Sequence, residues 1–219
     1  MIDLHTHTFF SDGVLCPSEL VLRALNRGYK VIAITDHCDA SNLEFVLSNL
    51  KKAVMELNEA LKEKIRIVCG VELTYVPPLL LADKIKQARL LGAQLVVVHG
   101  ETCVEEVPEG TNKAAILGGA DILAHPGLIK KEDVLLAKEK NVYLEITTRA
   151  GHSISNGHIA RLAKECEAPL ILNTDAHSPE DLLSVKKISD TIIGAGLEEE
   201  DIGVMYKNSY KLLEKVLKR

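Results

Sequence analysis

The 219-residue sequence contains no tryptophan, and aromatic residues make up only 4% of the chain. Few aromatic side chains are therefore available to stack on the bases of single-stranded nucleic acid. The chain also lacks an excess of positive charge, since its formal net charge at pH 7 is −5. This balance disfavours salt-driven binding to long nucleic acid but is compatible with a local basic pocket for one phosphate.

Long apolar segments are also absent. The longest apolar runs, such as residues 79–82 and 95–98, are far too short to cross a bilayer. Asp3, His5 and His7 interrupt the first residues, where a secretion signal would need an apolar stretch. The five cysteines form no CxxC pair, which indicates reduced thiols rather than a disulfide framework. We therefore expect a cytoplasmic protein without a membrane partner.

Short runs rich in valine and isoleucine alternate with amphipathic stretches along the chain. The runs predict seven buried strands: Ile2–Leu4, Val31–Thr35, Ile65–Val71, Leu95–Val98, Ile122–Ala124, Val142–Ile146 and Leu170–Asn173. Predicted helices fill residues 17–27, 43–64, 83–91, 131–140, 157–166 and 206–218. This alternation predicts an α/β fold, one domain over residues 1–219, whose parallel sheet is either closed as a barrel or open and doubly wound.

Side chains that bind metals or phosphate follow nearly every predicted strand. They are, in chain order, His5, His7, Asp36, His37, Glu72, His99, His125, Arg149, Asp175 and His177. In a parallel β/α barrel the carboxyl ends of all strands open onto one face, so these side chains would converge there. An open sheet would spread them along an edge, and the pattern therefore favours a closed barrel.

The spacing of the histidines is consistent with a metal site. His5 and His7 are two residues apart on an extended segment, so their side chains point the same way and can bind one ion. Asp175 and His177 repeat this spacing after the last strand. Imidazole combined with carboxylate suits Zn, Mn or Fe better than Mg or Ca.

These motifs, taken in order, resemble those of the PHP (polymerase and histidinol phosphatase) family. The matching segments are His5-Thr6-His7, Ser11-Asp12-Gly13, Ile34-Thr35-Asp36-His37, Gly70-Val71-Glu72, His99, His125-Pro126 and Asn173-Thr174-Asp175-Ala176-His177. The resemblance covers residues 2 to about 180. It implies a distorted (β/α)7 barrel with a centre of two to three divalent metal ions.

The resemblance also implies which side chains bind each ion. One ion would take His5, His7, Glu72 and Asp175, and a second would take Asp12, His37 and His177. Glu72 would bridge to a third ion that is completed by His99 and His125. Without the resemblance, Asp12 could equally be the turn residue before Gly13, and Asp36 could be structural or could orient His37.

Four further residues have weaker signals. Arg149 follows the sixth predicted strand, where a guanidinium could grip phosphate oxygens, although it could also be a surface charge. His152 is a candidate for substrate contact. His158 could also contact substrate, but it is at least as well explained as a surface histidine. Glu145 lies near the end of a strand and is a weak candidate for supporting a ligand.

The resemblance implies a metal-dependent hydrolase of phosphate esters that uses a metal-activated hydroxide. Asp175, His177 and Arg149 are the predicted catalytic residues, and either His177, His152 or a metal-bound water would protonate the leaving oxygen. The expected substrate is a small phosphomonoester, such as histidinol phosphate or a nucleotide. Two alternatives are an amidohydrolase-like enzyme that cleaves a C–N or C–O bond, and a non-catalytic module in nucleic-acid processing. Glu72 favours the phosphoesterase, because amidohydrolases normally use a bridging lysine after the fourth strand.

Overall fold

A computed structural model of the chain describes residues 1–182 and 184–218. In this part of the chain the strands are β1 (Ile2–Asp3), β2 (Val31–Ile34), β3 (His37–Cys38), β4 (Arg66–Leu73), β5 (Leu95–His99), β6 (Ile122–Ala124), β7 (Tyr143–Thr147) and β8 (Leu170–Asn173). The helices are α1 (Pro17–Asn26), α2 (Leu43–Ala60), α3 (Pro78–Leu90), α4 (Thr111–Gly118), α5 (Lys131–Lys140), α6 (Asn156–Cys166), α7 (Val185–Gly194) and α8 (Glu199–Val216).

Most helices agree with the flanking residues that predicted them, but α8 begins at Glu199 rather than at Tyr206 and α2 ends at Ala60 rather than at Lys64. α1 begins at Pro17, whose fixed φ suits a first helical turn, and the chain leaves it through Gly28 at a φ of +85°. α3 begins at Pro78 rather than at Asp83, because a proline is accepted in the first turn of a helix. The sequence interpretation missed α4 and α7.

All pairings in the sheet are parallel, in the order β1-β2-β4-β5-β6-β7-β8, with the short β3 paired to β4. β3 continues the path of β2 after an interruption at residues 35–36. Its register places His37 opposite Glu72. The predicted distorted (β/α)7 barrel is therefore confirmed, and β3 is the strand that the sequence interpretation did not separate from β2.

The barrel closes between β8 and β1 at a seam that has little backbone pairing. One parallel bridge joins Thr6 to Ala176, just beyond the two strands. Side chains supply further bonds: the Leu4 amide donates to Asn173 Oδ1 at 2.9 Å, and the Thr174 hydroxyl donates to Asp3 Oδ2 at 2.6 Å. Polar residues at the ends of both strands, or just beyond them, thus hold the two edges together.

Two apolar clusters stabilise the barrel. The larger one fills the layer between the strands and the surrounding helices. The smaller one fills the barrel interior with aliphatic side chains such as Leu4, Val68 and Val97, and it continues into Leu212 and Val216 of α8. α8 therefore covers the amino end of the barrel, which leaves the carboxyl end for the polar residues. Among the described residues, no helix combines the length and the apolar character needed to cross a lipid bilayer.

Candidate metal centre

A cleft of about 260 Å³ opens at the carboxyl ends of the strands. Its lining comprises Asp12, His37, Thr74, Tyr75, His99, Glu105, His125, Arg149, His152, Asp175 and His177. His5, His7 and Glu72 are fully buried and contact Asp175 or His37 of this lining. Every side chain predicted from the sequence as a metal ligand or as a substrate contact therefore lies in or beside one cleft.

Five buried side chains in or after four different strands form what we call the inner cluster: His5, His7, Glu72, His125 and Asp175. Nε2 of His7 lies 3.2 Å from Asp175 Oδ1 and 3.6 Å from Glu72 Oε2. Both carboxylate oxygens of Glu72 and both ring nitrogens of His7 lack a hydrogen bond of good geometry within the described structure. Since an unsatisfied buried polar atom typically costs about 1–3 kcal/mol, the cluster is suited to surround a cation.

Strand geometry explains how these side chains reach the same point. Side chains two or four residues apart share a face of a strand, so Glu72 continues the inward row that begins with Val68 in β4. His125 and Asp175 come directly after strands and adopt positive φ values of 29° and 53°. Such backbone strain in residues other than glycine is concentrated at functional sites, where neighbouring structure holds it.

Glu145 supports the inner cluster from β7, a role that its place near the end of a predicted strand indicated only weakly. Its Oε1 lies 2.8 Å from Nδ1 of His5 and accepts a 2.8 Å hydrogen bond from Asn173, while Oε2 accepts from the His125 amide. Burial opposes a charge on His5, but the adjacent carboxylates of Glu145 and Glu72 outweigh it and raise the pKa of His5 well above its ordinary value. The alternation along β7 from the inward Tyr143 is the signal that could have identified Glu145.

Asp12, His37 and His177 form a second group, which we call the outer cluster. Asp12 Oδ1 lies 3.1 Å from Nε2 of His177 and 3.5 Å from Nε2 of His37. Nδ1 of His37 lies 2.7 Å from Glu72 Oε2, which connects the outer cluster to the inner one. The Asp12 side chain is 58% exposed, so this group faces solvent.

Asp36 holds the loop that carries Asp12. Its carboxylate accepts hydrogen bonds of 2.7–2.8 Å from the backbone and hydroxyl of Thr8 and from the hydroxyl of Ser11. Asp36 thus acts on this loop rather than on the ring of His37. Gly13 is required in the same loop, because a Cβ atom there would lie 2.6 Å from the carbonyl of His7.

His99, His152 and Glu105 form a third group, the side cluster. Glu105 Oε2 lies 3.1 Å from Nε2 of His99, and Oε1 lies 3.4 Å from Nε2 of His152. The ring of His152 stacks on that of His125 with centroids 4.2 Å apart. Sequence reasoning missed Glu105, since it lies in a loop several residues past β5 and has no fixed spacing to a strand end.

Arg149 lines the cleft, and its Nη1 lies 3.2 Å from Asp181 Oδ2. The same Asp181 oxygen accepts hydrogen bonds from the backbone amides of His177 and Ser178. The guanidinium is therefore held beside the outer cluster by a fixed carboxylate. His158, in contrast, places Nε2 2.8 Å from the carbonyl oxygen of Ile129 and is not part of the cleft lining.

The donor set fits the divalent ions that the motifs imply. Four groups, each with atoms within 4.8 Å of one another, could hold an ion: His5, His7 and Asp175; His5, His125 and Glu145; His7, Asp12, His37 and His177; and His99, His125 and His152. Neutral imidazole nitrogens and carboxylate oxygens are the ligands that zinc and manganese accept. The unsatisfied buried atoms of the inner cluster support the same conclusion.

A comparison with protein-family models is consistent with this geometry. The model described as the PHP domain matches residues 3–185, the range that contains every residue of the three clusters. The chain belongs to the PHP family. It is therefore placed among hydrolytic phosphoesterases.

Relatives of the PHP chain differ in length and description. MJ1295 of Methanocaldococcus jannaschii, which is described as uncharacterized, is 47% identical over 91% of this chain and 92% of its own length. The DNA polymerase/3'-5' exonuclease PolX of Bacillus subtilis is 28% identical over 99% of this chain, which spans only 41% of PolX. A crystal structure of histidinol phosphate phosphatase from Lactococcus lactis, complexed with Zn, L-histidinol and phosphate, superposes with a TM-score of 0.63 at 20% identity, covering 90% of this chain and 94% of that one. At that identity the likeness concerns the fold.

Proposed function

We propose that this PHP-family protein hydrolyses small phosphomonoesters at the cleft formed by the inner and outer clusters. The observation that carries the proposal is that buried carboxylate and imidazole atoms without a well-formed hydrogen bond converge beside the guanidinium of Arg149. Divalent ions bound there would supply an activated water and would neutralise charge on the phosphate oxygens. His5, His7, Glu72 and Asp175 would hold one ion, Asp12, His37 and His177 a second, and Glu72, His99 and His125 a third.

Arg149 is assigned to the phosphate. A guanidinium can donate two parallel hydrogen bonds to phosphate oxygens, and it keeps its charge at any working pH. Its contact with Asp181 uses only Nη1, which leaves its other donors for a substrate. Because the side chain is 30% exposed at the mouth of the cleft, it can meet a phosphate that enters from solvent.

His177 can offer only one ring nitrogen, Nε2, to a metal ion. Its Nδ1 lies 2.9 Å from the carbonyl oxygen of Asp175, and because a carbonyl can only accept, Nδ1 carries the proton. Nε2 then faces Asp12 in the outer cluster. We therefore assign His177 and Asp175 to holding the catalytic ions, and we propose that the proton for the leaving alcohol comes from a water molecule.

The size of the cleft is consistent with a substrate of which only a small part, the phosphate and its nearest atoms, is enclosed. A volume of about 260 Å³ lies below the roughly 300–1,000 Å³ that is common for pockets of drug-sized ligands. The phosphate and the first atoms of the alcohol fit within such a space, and the remainder of the substrate extends into solvent. Histidinol phosphate and nucleotides both meet this description. The likeness to PolX, which is described as a DNA polymerase/3'-5' exonuclease, adds the ends of short oligonucleotides as a second candidate class.

An amidohydrolase activity is less well supported by the site. Such enzymes normally bridge their metal ions with a lysine, and no lysine is found among the described residues that line the cleft. Glu72, which lies within 3.4–3.6 Å of ring nitrogens of His5, His7 and His125, would bridge the ions instead.

The test is a panel assay of phosphate release by the purified protein supplied with Mn²⁺ or Zn²⁺, with and without chelator. The panel contains histidinol phosphate, nucleoside monophosphates, a 3′,5′-bisphosphate nucleotide, a short 5′-phosphorylated oligonucleotide and an aryl phosphate. We expect chelator-sensitive release from at least one small phosphomonoester. His158→Asn, which changes a histidine outside the cleft, serves as the control and should match the wild type. Cleavage of amides or esters without any phosphate release would contradict the proposal.

A further inference from the structure

Two side chains beyond the ligands implied by the PHP motifs reach the same corner of the cleft. His152 stands at the start of a short 3-10 turn before α6 and is 7% exposed, and Glu105 comes from the loop after β5. Both oxygens of Glu105 point at imidazole nitrogens, Oε2 at His99 and Oε1 at His152. The ring nitrogens of His99, His125 and His152 also include atoms that all lie within 4.8 Å of one another.

Hydrogen bonding fixes which nitrogen of His99 faces the carboxylate. Nδ1 lies 3.1 Å from the carbonyl oxygen of Gly100, which can only accept, so Nδ1 carries the proton. In the neutral ring, Nε2 then presents a lone pair to Glu105 Oε2 at 3.1 Å. Two acceptors that face each other need a shared cation, which is either a proton or a metal ion.

The separation at His99 suits either cation, whereas the separation at His152 favours a metal ion. Nε2 of His152 and Oε1 of Glu105 are 3.4 Å apart, beyond the usual range of roughly 2.7–3.2 Å for such a hydrogen bond. Two ligand atoms that each lie about 2.0–2.1 Å from a tetrahedral zinc ion are separated by about 3.3–3.4 Å. His152 is also oriented as metal-binding histidines are, since its other nitrogen lies 2.7 Å from the buried hydroxyl of Thr102.

We propose that the ion shared by Glu72, His99 and His125 is completed in this protein by His152 and Glu105. Because protein donors would fill its coordination shell, this ion would keep little room for water, as in the closed sites where an ion stabilises structure rather than activates a nucleophile. Its role is to hold the loop of residues 100–110 against the cleft. The proposal rests on the metal centre of the proposed function and is independent of the substrate.

The experiment compares the wild type with Glu105→Gln, His152→Ala and the matched control Glu106→Gln, which changes an exposed neighbour of the same charge. Each protein is stripped with chelator, equilibrated with Zn²⁺ at buffered free concentrations and measured for bound zinc by mass spectrometry. Cobalt substitution gives a second readout, since the visible spectrum of bound Co²⁺ reports the number and type of its ligands. Circular dichroism and thermal unfolding verify that each variant is folded.

We expect Glu105→Gln and His152→Ala each to bind one equivalent less than the wild type at limiting free zinc. Restoring that equivalent should need at least about tenfold more free zinc, the lower end of the loss seen when metal-site partners are removed. Glu106→Gln should behave as the wild type. Unchanged stoichiometry, affinity and cobalt spectrum in both site variants would overturn this assignment and leave the proposed function intact. A wild type that binds no divalent ion would instead overturn the metal centre itself.

Discussion

The inner and outer clusters use the same kinds of side chain in opposite surroundings. In the inner cluster the side chains of His5 and Glu72 are fully buried, and that of Asp175 is 3% exposed. In the outer cluster the side chain of Asp12 is 58% exposed and that of His37 is 25% exposed. The inner donors lie in or just after barrel strands, whereas Asp12 lies on a loop that Asp36 holds through side-chain hydrogen bonds.

The difference in surroundings leads to different expectations for ion binding. Inner donors have lost their contact with water on folding, so an ion bound there replaces hydration that has already been given up. The outer donors keep part of their hydration, and an ion there competes with water. We therefore expect the inner site to bind tightly and the outer site to exchange its ion readily.

The largest effect is expected for Glu72→Gln. Glu72 lies within 3.6 Å of His7 and His125 and 2.7 Å from Nδ1 of His37, so it connects both clusters. Loss of its charge should lower phosphate release by about 10²–10³-fold, as when a group that stabilises transition-state charge is removed. Activity and bound zinc are measured together, with His158→Asn as the control. Full activity with full metal content would remove Glu72 from the centre.

Asp12→Asn should have a smaller effect that depends on metal concentration. The substitution removes one exposed charge from the outer cluster and leaves the buried donors unchanged. We expect activity to fall by about 10–100-fold at low free Mn²⁺ and to recover as Mn²⁺ is raised. A titration of activity against buffered Mn²⁺ measures this. A loss that no Mn²⁺ concentration restores would show that the two clusters do not differ in the proposed way.

Arg149→Ala should affect substrate binding and leave the ions in place. A hydrogen bond to a charged group is worth about 1.5–3 kcal/mol, so we expect KM for phosphomonoesters to rise about tenfold or more. Arg161→Ala, which removes a 63% exposed guanidinium from α6, is the matched control. Steady-state kinetics and bound metal are measured for both variants. An unchanged KM would exclude Arg149 from the phosphate site.

Asp181→Asn should have the smallest effect, because it acts through Arg149. The change weakens the ion pair with Arg149. It also weakens the hydrogen bonds that the His177 and Ser178 amides donate to this carboxylate. We expect KM to rise about 2–10-fold, which corresponds to the 0.5–1.5 kcal/mol of an ordinary hydrogen bond. In the double variant with Arg149→Ala, the KM effect should disappear. Additive effects would show that Asp181 does not act by positioning Arg149.

The inner cluster could be predicted from the sequence because its residues follow strands at fixed spacing. The pairs His5/His7 and Asp175/His177 come directly after short apolar runs, and strand geometry dictates where such side chains point. β3 was missed because Thr35 and Asp36 interrupt the pairing, so His37 reads as a residue after the strand rather than as part of one.

Residues that depend on tertiary contacts could not be predicted in the same way. Glu105 reaches His99 and His152 only because the loop after β5 folds back over the cleft, and no local pattern encodes that path. The contact of Asp36 with Thr8 and Ser11 joins two different loops and is equally invisible to periodicity. Asp181 follows β8 by several residues, and its contact with Arg149 depends on how two loops approach each other.

The seam between β8 and β1 has a consequence for how such a protein can change over evolution. Its one backbone bridge, from Thr6 to Ala176, lies between two members of each terminal motif, His5 and His7 on one side and Asp175 and His177 on the other. The ions would therefore join the first and last strands of the barrel as well as serve the reaction. A descendant that lost its ions would also lose contacts that join the first strand to the last. Loss of catalytic activity in evolution would therefore require new stabilising contacts between these two strands.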